Sequence, residues 1–432
     1  MKSNEIMEIL TDWNFWGEEL DTGIERPELL KEMQRLLKIN EILVVSGVRR
    51  SGKSTLILQF CKSLIESGVR KEDILIVNLE DPRFKQLDLQ LLNEIYETYL
   101  TQLNPSKEHY VVLDEVQVVK QWEKYARFLH ENRKAHVIVT GSSSKLLSSE
   151  YATVLAGRHV DMQVYPLSFK EFLRFKGIDA KTNIEIISKR HQIKRLMQEY
   201  LKWGGFPKPT LLKKEKEKRE ELYGYFRDIM TKDVAMRYKV EDIGKLEELA
   251  KYYLSNIASL QSFNNIKKFL GISLDSVERF STYFSNAYLL FFVKKFSYSV
   301  KQQILNPRKV YCIDTGLRNV AGFVFMEDLG KLMENTVFVE LMRKGKQVFY
   351  WKNKGEVDFV IKGDKKVEGL IQVCYDVEDP KTKEREVNAL LEAMKFFRLR
   401  TGIIVTWDYE DEERINGKKI SYIPIWKWLL QP

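Results

Sequence analysis

The sequence predicts an α/β protein that opens with a parallel-sheet domain and closes with a second, separate α/β domain. Three observations carry this. Between residues 41 and 167, short apolar runs alternate with helical stretches, as βαβ units do. A glycine-rich loop joins the first of those runs to the helix after it. Strand-like runs then return in the last quarter of the chain, after a helical and mixed middle.

In the first domain, residues 1–167, an N-terminal helix precedes strands expected at 42–45, 74–77, 110–113, 137–139 and 160–164. From 168 to 242 the periodicity is helical and no strand run survives. A helical lid subdomain is expected there, punctuated by Trp203-Gly204-Gly205-Phe206-Pro207; the mixed charges of 213–221 read as a solvated helix face. Residues 243–322 read helix, helix, helix, hairpin. Leu246, Leu249, Tyr253 and Ile257 keep helical spacing, Ser262 and Ser273 are N-caps for two shorter helices, and two strands flank a basic loop over 294–309. That order suits a winged helix. In 323–432, a helix over 329–343, strands near 348–351, 357–361 and 370–373, a helix over 384–397 and a strand at 402–405 form the closing domain.

Composition excludes several classes. The 432 residues are 44 % hydrophobic and 30 % charged, enough apolar matter for several cores and too much for a disordered chain. The longest apolar run, 287–293, is far short of the roughly 18 residues that cross a bilayer, and the N-terminus lacks a basic head with an apolar stretch. A cytoplasmic protein without membrane partners is expected. Cys61, Cys312 and Cys374 are too few and too scattered for a disulfide framework or a zinc site. The net charge of +9 suits a polyanionic partner and equally an ordinary soluble protein.

The first loop reads Gly47-Val48-Arg49-Arg50-Ser51-Gly52-Lys53-Ser54-Thr55, a Gly-x-x-x-x-Gly-Lys-Ser/Thr phosphate loop in the strand-to-helix setting it requires. Its glycines let backbone N–H groups converge on phosphates, with the helix N-terminus behind them. Gly47, Arg50, Ser51, Gly52, Lys53, Ser54 and Thr55 are the expected nucleotide-binding residues; Lys53 brings charge to the β/γ-phosphates and Ser54 a hydroxyl to Mg²⁺. Asp114 and Glu115 end the 110–113 run as a Walker B strand does, Asp114 holding Mg²⁺ through its water shell and Glu115 orienting and deprotonating water. This pair favours a hydrolase over a small-molecule kinase. A guanine-reading Asn-Lys-x-Asp is missing, since Asn353-Lys354-Gly355-Glu356 lacks the Asp. Ser142, with Thr140 in reserve, is expected beside the two acids, although the same turn can simply cap a helix. The 78–83 segment leaves a core strand on the nucleotide side with no role assigned.

These motifs together resemble an AAA-type ATP-binding family of bacteria and archaea whose members carry a C-terminal domain of unknown function (AAA_14/DUF4143 type). The resemblance also rests on Leu113-Asp114-Glu115-Val116-Gln117, Thr140-Gly141-Ser142-Ser143, Leu155-Ala156-Gly157-Arg158 before Tyr165-Pro166-Leu167-Ser168-Phe169, Gly204-Gly205-Phe206-Pro207 and Gly355-Glu356-Val357-Asp358-Phe359-Val360. Val48 departs from the family's usual Pro. The resemblance implies ATP as the nucleotide, an AAA-type P-loop core, a winged helix and a restriction-endonuclease-like C-terminal domain. Arg158 is the candidate arginine finger, in cis or from a neighbouring subunit of a homo-oligomer, with a structural ion pair as the alternative.

Nucleases of the resembled C-terminal fold place an acid on the first helix, an Asp on a strand, and Asp/Glu-x-Lys on the next strand. Here Glu340 lies on the helix, Glu356 and Asp358 on the strand, and the third position reads Gln372-Val373-Cys374. Two groups are changed. A degenerate site with weak or absent cleavage is expected, with Lys352, Lys354 or Lys366 as the lysine that would restore it. DNA contact is expected through hairpin residues Lys294, Lys295, Lys301, Arg308 and Lys309, interleaved with Phe291, Phe292, Phe296 and Tyr298. The helix over 274–284 sets Asp275 and Glu278 against Arg279, a poor match to phosphate. A nucleic-acid-associated ATPase is the leading reading; a nucleotide-controlled scaffold for a protein partner, or an ATP-gated nuclease, are the alternatives.

Overall fold

A computed structural model describes residues 1–143, 155, 157–179, 182–323 and 328–431. Two compact units emerge, Met1–Val164 and Tyr165–Pro432. Among the described residues, no helix is long and apolar enough to cross a membrane.

In the first unit, the five expected apolar runs become β1 (Ile42–Ser46), β2 (Ile74–Asn78), β3 (Tyr110–Asp114), β4 (His136–Gly141) and β5 (His159–Gln163). They form one parallel sheet in the order β2-β3-β4-β1-β5. Side chains alternate between its faces. Ile42 and Val44 enter the core beneath α1 (Ser3–Trp13), α4 (Leu89–Leu103) and α5 (Trp122–Arg133), whereas Leu43 and Val45 enter the one beneath α2 (Pro27–Leu37) and α3 (Lys53–Glu66). With both faces covered, β1 is buried along its whole length. β2 is an edge strand. Asn14 seals it, its Nδ2 donating to the Ile76 carbonyl and its Oδ1 accepting from the Ile76 N–H, at 2.8 and 2.7 Å. Parallel strands bring their C-terminal ends to one edge, so the loops after β1, β3 and β4 meet there.

The second unit begins with α6 (Phe169–Phe175), α7 (Arg190–Trp203) and α8 (Glu215–Asp228). Lys218 of α8 is buried against Glu199 at 2.5 Å and over the Trp203 ring, so the expected solvated face is only partly solvated. Next come α9 (Ile243–Ser255), β6 (Ser259–Gln261), α10 (Phe263–Leu270), α11 (Leu274–Asn286), β7 (Leu290–Val293), α12 (Val300–Leu305), β8 (Arg308–Cys312) and α13 (Thr315–Ala321). The strands form an antiparallel sheet, β6-β8-β7; β6 and the helix α12 inside the hairpin add to the helix, helix, helix, hairpin order expected from the sequence. Ser273 caps α11 by accepting from the Ser276 N–H.

The Gly204-Gly205 pair is a structural joint. The Gly205 N–H donates to Asp314 at 2.6 Å, and a Cβ at Gly205 would lie 2.4 Å from the Leu167 carbonyl oxygen. Asp314 also caps α13. Burial pushes its carboxyl up to about 6, against the pull of the N–H groups of Gly205, Leu317 and Gly316.

The closing domain sets α14 (Leu329–Arg343) and α15 (Pro380–Phe396) with a six-stranded mixed sheet, β13-β14-β12-β11-β10-β9. Its strands are β9 (Gln347–Lys352), β10 (Glu356–Lys362), β11 (Val367–Cys374), β12 (Thr401–Thr406), β13 (Asp411–Ile415) and β14 (Lys418–Pro424). The last two were not expected. β13 is a charged edge strand with no apolar alternation, and the signal that marks this hairpin is Asn416-Gly417, with φ of +49° and +73°.

Candidate functional site

The phosphate loop leaves β1 at the carboxyl edge of the first unit's sheet. Gly47 is required there: with φ +154°, its Cβ would lie 2.1 Å from the Val164 carbonyl oxygen. Arg50 and Gly52 adopt left-handed backbone, φ +70° and +94°, and α3 begins at Lys53. Lys53 is buried, its Nζ donating to the carbonyls of Gly47 and Val48 at 3.1 and 3.2 Å and standing 3.7 Å from Glu115 Oε1. Ser54 and Thr55 open to solvent at the start of the helix. Ser51 is buried, and its carbonyl accepts from the Arg26 guanidinium at 2.9 Å.

The end of β3 brings the acids to the same place. Ser54 Oγ donates to Asp114 Oδ2 at 2.7 Å, which joins the phosphate loop to the Walker B strand. The hydroxyl bonded to Asp114 from β4 is that of Thr140, which donates to Oδ1 and accepts the Glu115 N–H at 3.0 Å. Thr140, the reserve choice, thus lies beside the two acids, and Ser142 is buried two residues further along the chain. Strand register sets this: β3 and β4 run side by side with Leu113 opposite Val139, which brings Thr140, the next residue of β4, level with Asp114. Burial and the neighbouring Glu115 push the Asp114 carboxyl up, and Thr140, Ser54 and Lys53 pull it down.

Arg158 is placed elsewhere. It precedes β5, which pairs in parallel with β1 from Ile42↔His159 to Ser46↔Gln163, so it stands at the amino edge of the sheet, opposite the phosphate loop. A five-residue strand spans about 16 Å, too far for a finger in cis. Its guanidinium pairs with Glu131. Arg49 turns away from the loop into a two-pronged pair with Glu80, at 3.1 and 2.9 Å. The 78–83 segment is therefore a tie: Glu80 holds Arg49, and Asp81 holds Trp13 and Arg83.

A second cluster lies in the other unit. Lys309 of β8 is buried at 2 % exposure, and its ammonium contacts Glu334, Glu356 and Asp358 at 2.9, 2.8 and 2.7 Å. The Tyr311 hydroxyl donates to Glu334 at 2.6 Å. The enclosed lysine is thus neither Lys354 nor Lys366, and Lys352 only touches the outer oxygen of Glu356. The helix acid is Glu334, not Glu340, which pairs with Arg343 at 3.0 Å. Six residues along a helix turn through about 240°, so the two acids of α14 face different ways. Gln372 is used up by hydrogen bonds, accepting the Asp358 N–H and donating to Glu386. Burial, then Asp358, pushes the Glu334 carboxyl up to about 7. Among the described residues, no group of three or more His, Cys, Asp or Glu is arranged to hold a metal ion.

The hairpin is less available than its sequence suggests. Lys309 points inward. Phe291 packs on Phe338, Phe292 on Tyr253, and Phe296 on Phe349 and Phe397. Lys294, Lys301 and Tyr298 remain exposed, and α12 adds exposed Val300, Ile304 and Leu305.

Parts of the chain match known families. Residues 39–173 match the AAA domain family AAA_14, residues 194–327 a domain of unknown function (DUF8612), and residues 329–428 a domain of unknown function (DUF4143). The chain is 36 % identical over 407 residues to the "Uncharacterized protein MJ1544" of Methanocaldococcus jannaschii, covering 90 % of this chain and 88 % of that protein. An "Uncharacterized protein" of Haemophilus influenzae is 30 % identical over 417 residues, 94 % and 99 % of the two chains. The Walker-type ATPase PABY2304 of Pyrococcus abyssi aligns over 72 % of this chain and 99 % of its own, with 13 % identity and a TM-score of 0.46.

Proposed function

The chain belongs to the family in which an AAA_14 domain precedes a DUF4143 domain, and from that premise we propose that it binds ATP with Mg²⁺ and hydrolyses it. The carrying observation is the convergence of Lys53, Ser54, Asp114, Thr140 and Glu115 at one sheet edge. The donors fit Mg²⁺, because Ser54 and Asp114 offer oxygen only and the buried Asp114 carboxyl is crowded by a second acid. These two residues would hold the ion, which when bound neutralises phosphate charge. Lys53 binds the β/γ-phosphates. Glu115 orients a water and takes its proton as the oxygen attacks the γ-phosphorus and the bond to the β-phosphate oxygen breaks, giving ADP and phosphate. The test separates two roles: Lys53→Ala should lose nucleotide binding, whereas Glu115→Gln should keep binding and lose turnover. Equal loss of affinity in both would refute the assignment.

The coupled activity is a nucleotide-controlled scaffold. Inward-facing Lys309 and the packed hairpin phenylalanines favour a protein partner over nucleic acid. ATP turnover with and without single-stranded, duplex and branched DNA over a salt series decides between them. Stimulation that fades steeply with salt supports nucleic acid; indifference supports the scaffold. In this reading the closing domain is nuclease-like without cleavage, since an ammonium already neutralises its acids. Mg²⁺- or Mn²⁺-dependent DNA cleavage abolished by Asp358→Ala would overturn it.

A further inference from the structure

We propose that Gln117 is a positioning residue of the hydrolytic site, whose amide fixes the Glu115 carboxylate by one of its oxygens. The inference rests on the ATPase reading above.

β3 ends at Asp114, and Glu115 then enters left-handed backbone, φ +57° and ψ +47°. The next three residues, Val116–Val118, form a single 3₁₀ turn. This reversal folds Gln117 back over its neighbour, and its Nε2 donates to Glu115 Oε2 at 2.5 Å. The turn has a firm base, because Val116 and Val119 are buried in the sheet core beside Leu113. The Glu115 N–H is itself held by Thr140. The acid is therefore gripped at its backbone and at Oε2, while Oε1 lies toward Lys53, the residue that meets the phosphates.

The other end of the amide shows what the side chain is for. Gln117 Oε1 is buried and accepts no hydrogen bond among the described residues. Turning the amide over would press that carbonyl against a carboxylate, so only the donor can face Glu115. A glutamine retained for packing alone would have its buried acceptor satisfied. Here the acceptor is left orphaned and the donor is directed at the acid that serves the water. A free glutamate side chain samples several rotamers, and holding one of them keeps the carboxylate where a proton must be taken.

The experiment uses the full-length protein. Gln117→Met keeps the side-chain length and removes the donor, and kcat for ATP should fall about ten- to hundredfold while KM and the Kd for a fluorescent ATP analogue stay within about twofold. The melting temperature should not change. An unchanged or raised kcat, or an affinity loss matching the rate loss, overturns the positioning role. If the Met variant is insoluble, Gln117→Ala is read by the same criteria, and failure of both to fold makes the residue structural and sinks the proposal. A wild-type protein without Lys53-dependent turnover would overturn the ATPase reading, and this inference with it; wild-type turnover matched by the variants overturns this inference alone.

Discussion

Replacing Lys309 by methionine keeps an unbranched side chain of similar length and removes the ammonium enclosed by Glu334, Glu356 and Asp358. Glu334 and Asp358 are nearly inaccessible, so water cannot take over the role of the ammonium. Breaking a buried ion pair from one side costs about 3–5 kcal/mol. Because the residue sits on β8 and its acids on α14 and β10, that cost falls on the seam between the β6-β8-β7 sheet and the closing domain. Hydrogen exchange measured by mass spectrometry reads it locally: at about 4 kcal/mol, amides of 308–312 and 356–362 should lose about a thousandfold in protection. The loss should shrink as pH falls from about 8 to about 5, because the buried Glu334 carboxyl, already pushed up to about 7, takes up a proton and needs the cation less. Adding Glu334→Gln and Asp358→Asn to Lys309→Met should return much of the protection. A single-variant loss below about tenfold would show that the cluster is not held by its lysine.

Two further outcomes follow from the geometry. Asp314 has its carboxyl raised from the ordinary 3.8 to about 6, so the unfolded chain releases this proton first as pH rises; its ionisation should remove about 3 kcal/mol of stability between about pH 4 and pH 6. Denaturation across that window should show the decline flattened in Asp314→Asn, and parallel curves for the two proteins would refute the assignment. Arg158→Ala should keep ATP turnover within about twofold, since its half-exposed pair with Glu131 is worth at most about 1 kcal/mol. A tenfold or greater loss of rate would instead place Arg158 at a neighbouring subunit's phosphates.

The phosphate loop and the Walker B acids were legible because their chemistry is local. A loop of nine residues carries the glycines, the lysine and the hydroxyl, and a buried strand ending in two acids announces itself by its apolar run. The β13–β14 hairpin was less visible, since a charged edge strand has no buried face to mark it. The sequence points to Glu340 rather than Glu334 because a helix of acids and apolar residues does not say which face meets the sheet; buried positions run unbroken from Leu332 to Leu341.

By itself, then, the sequence determined the α/β class, the five strands of the first sheet and the place of the Gly-x-x-x-x-Gly-Lys-Ser loop between strand and helix, all properties of contiguous segments whose periodicity and spacing have direct physical readings. Only the tertiary structure decided which distant groups meet. Parallel strand direction put Arg158 at the edge away from the phosphate loop, and register set Thr140 against Asp114. A left-handed step followed by a 3₁₀ turn brought Gln117 onto Glu115. The pairing of β8 with β7 and β6 turned a lysine of a basic loop inward to the acids of another domain. Contacts of this kind are absent from any single segment, because the free energy that fixes them comes from desolvating charges together, and that happens only when the packed elements exclude water from between them.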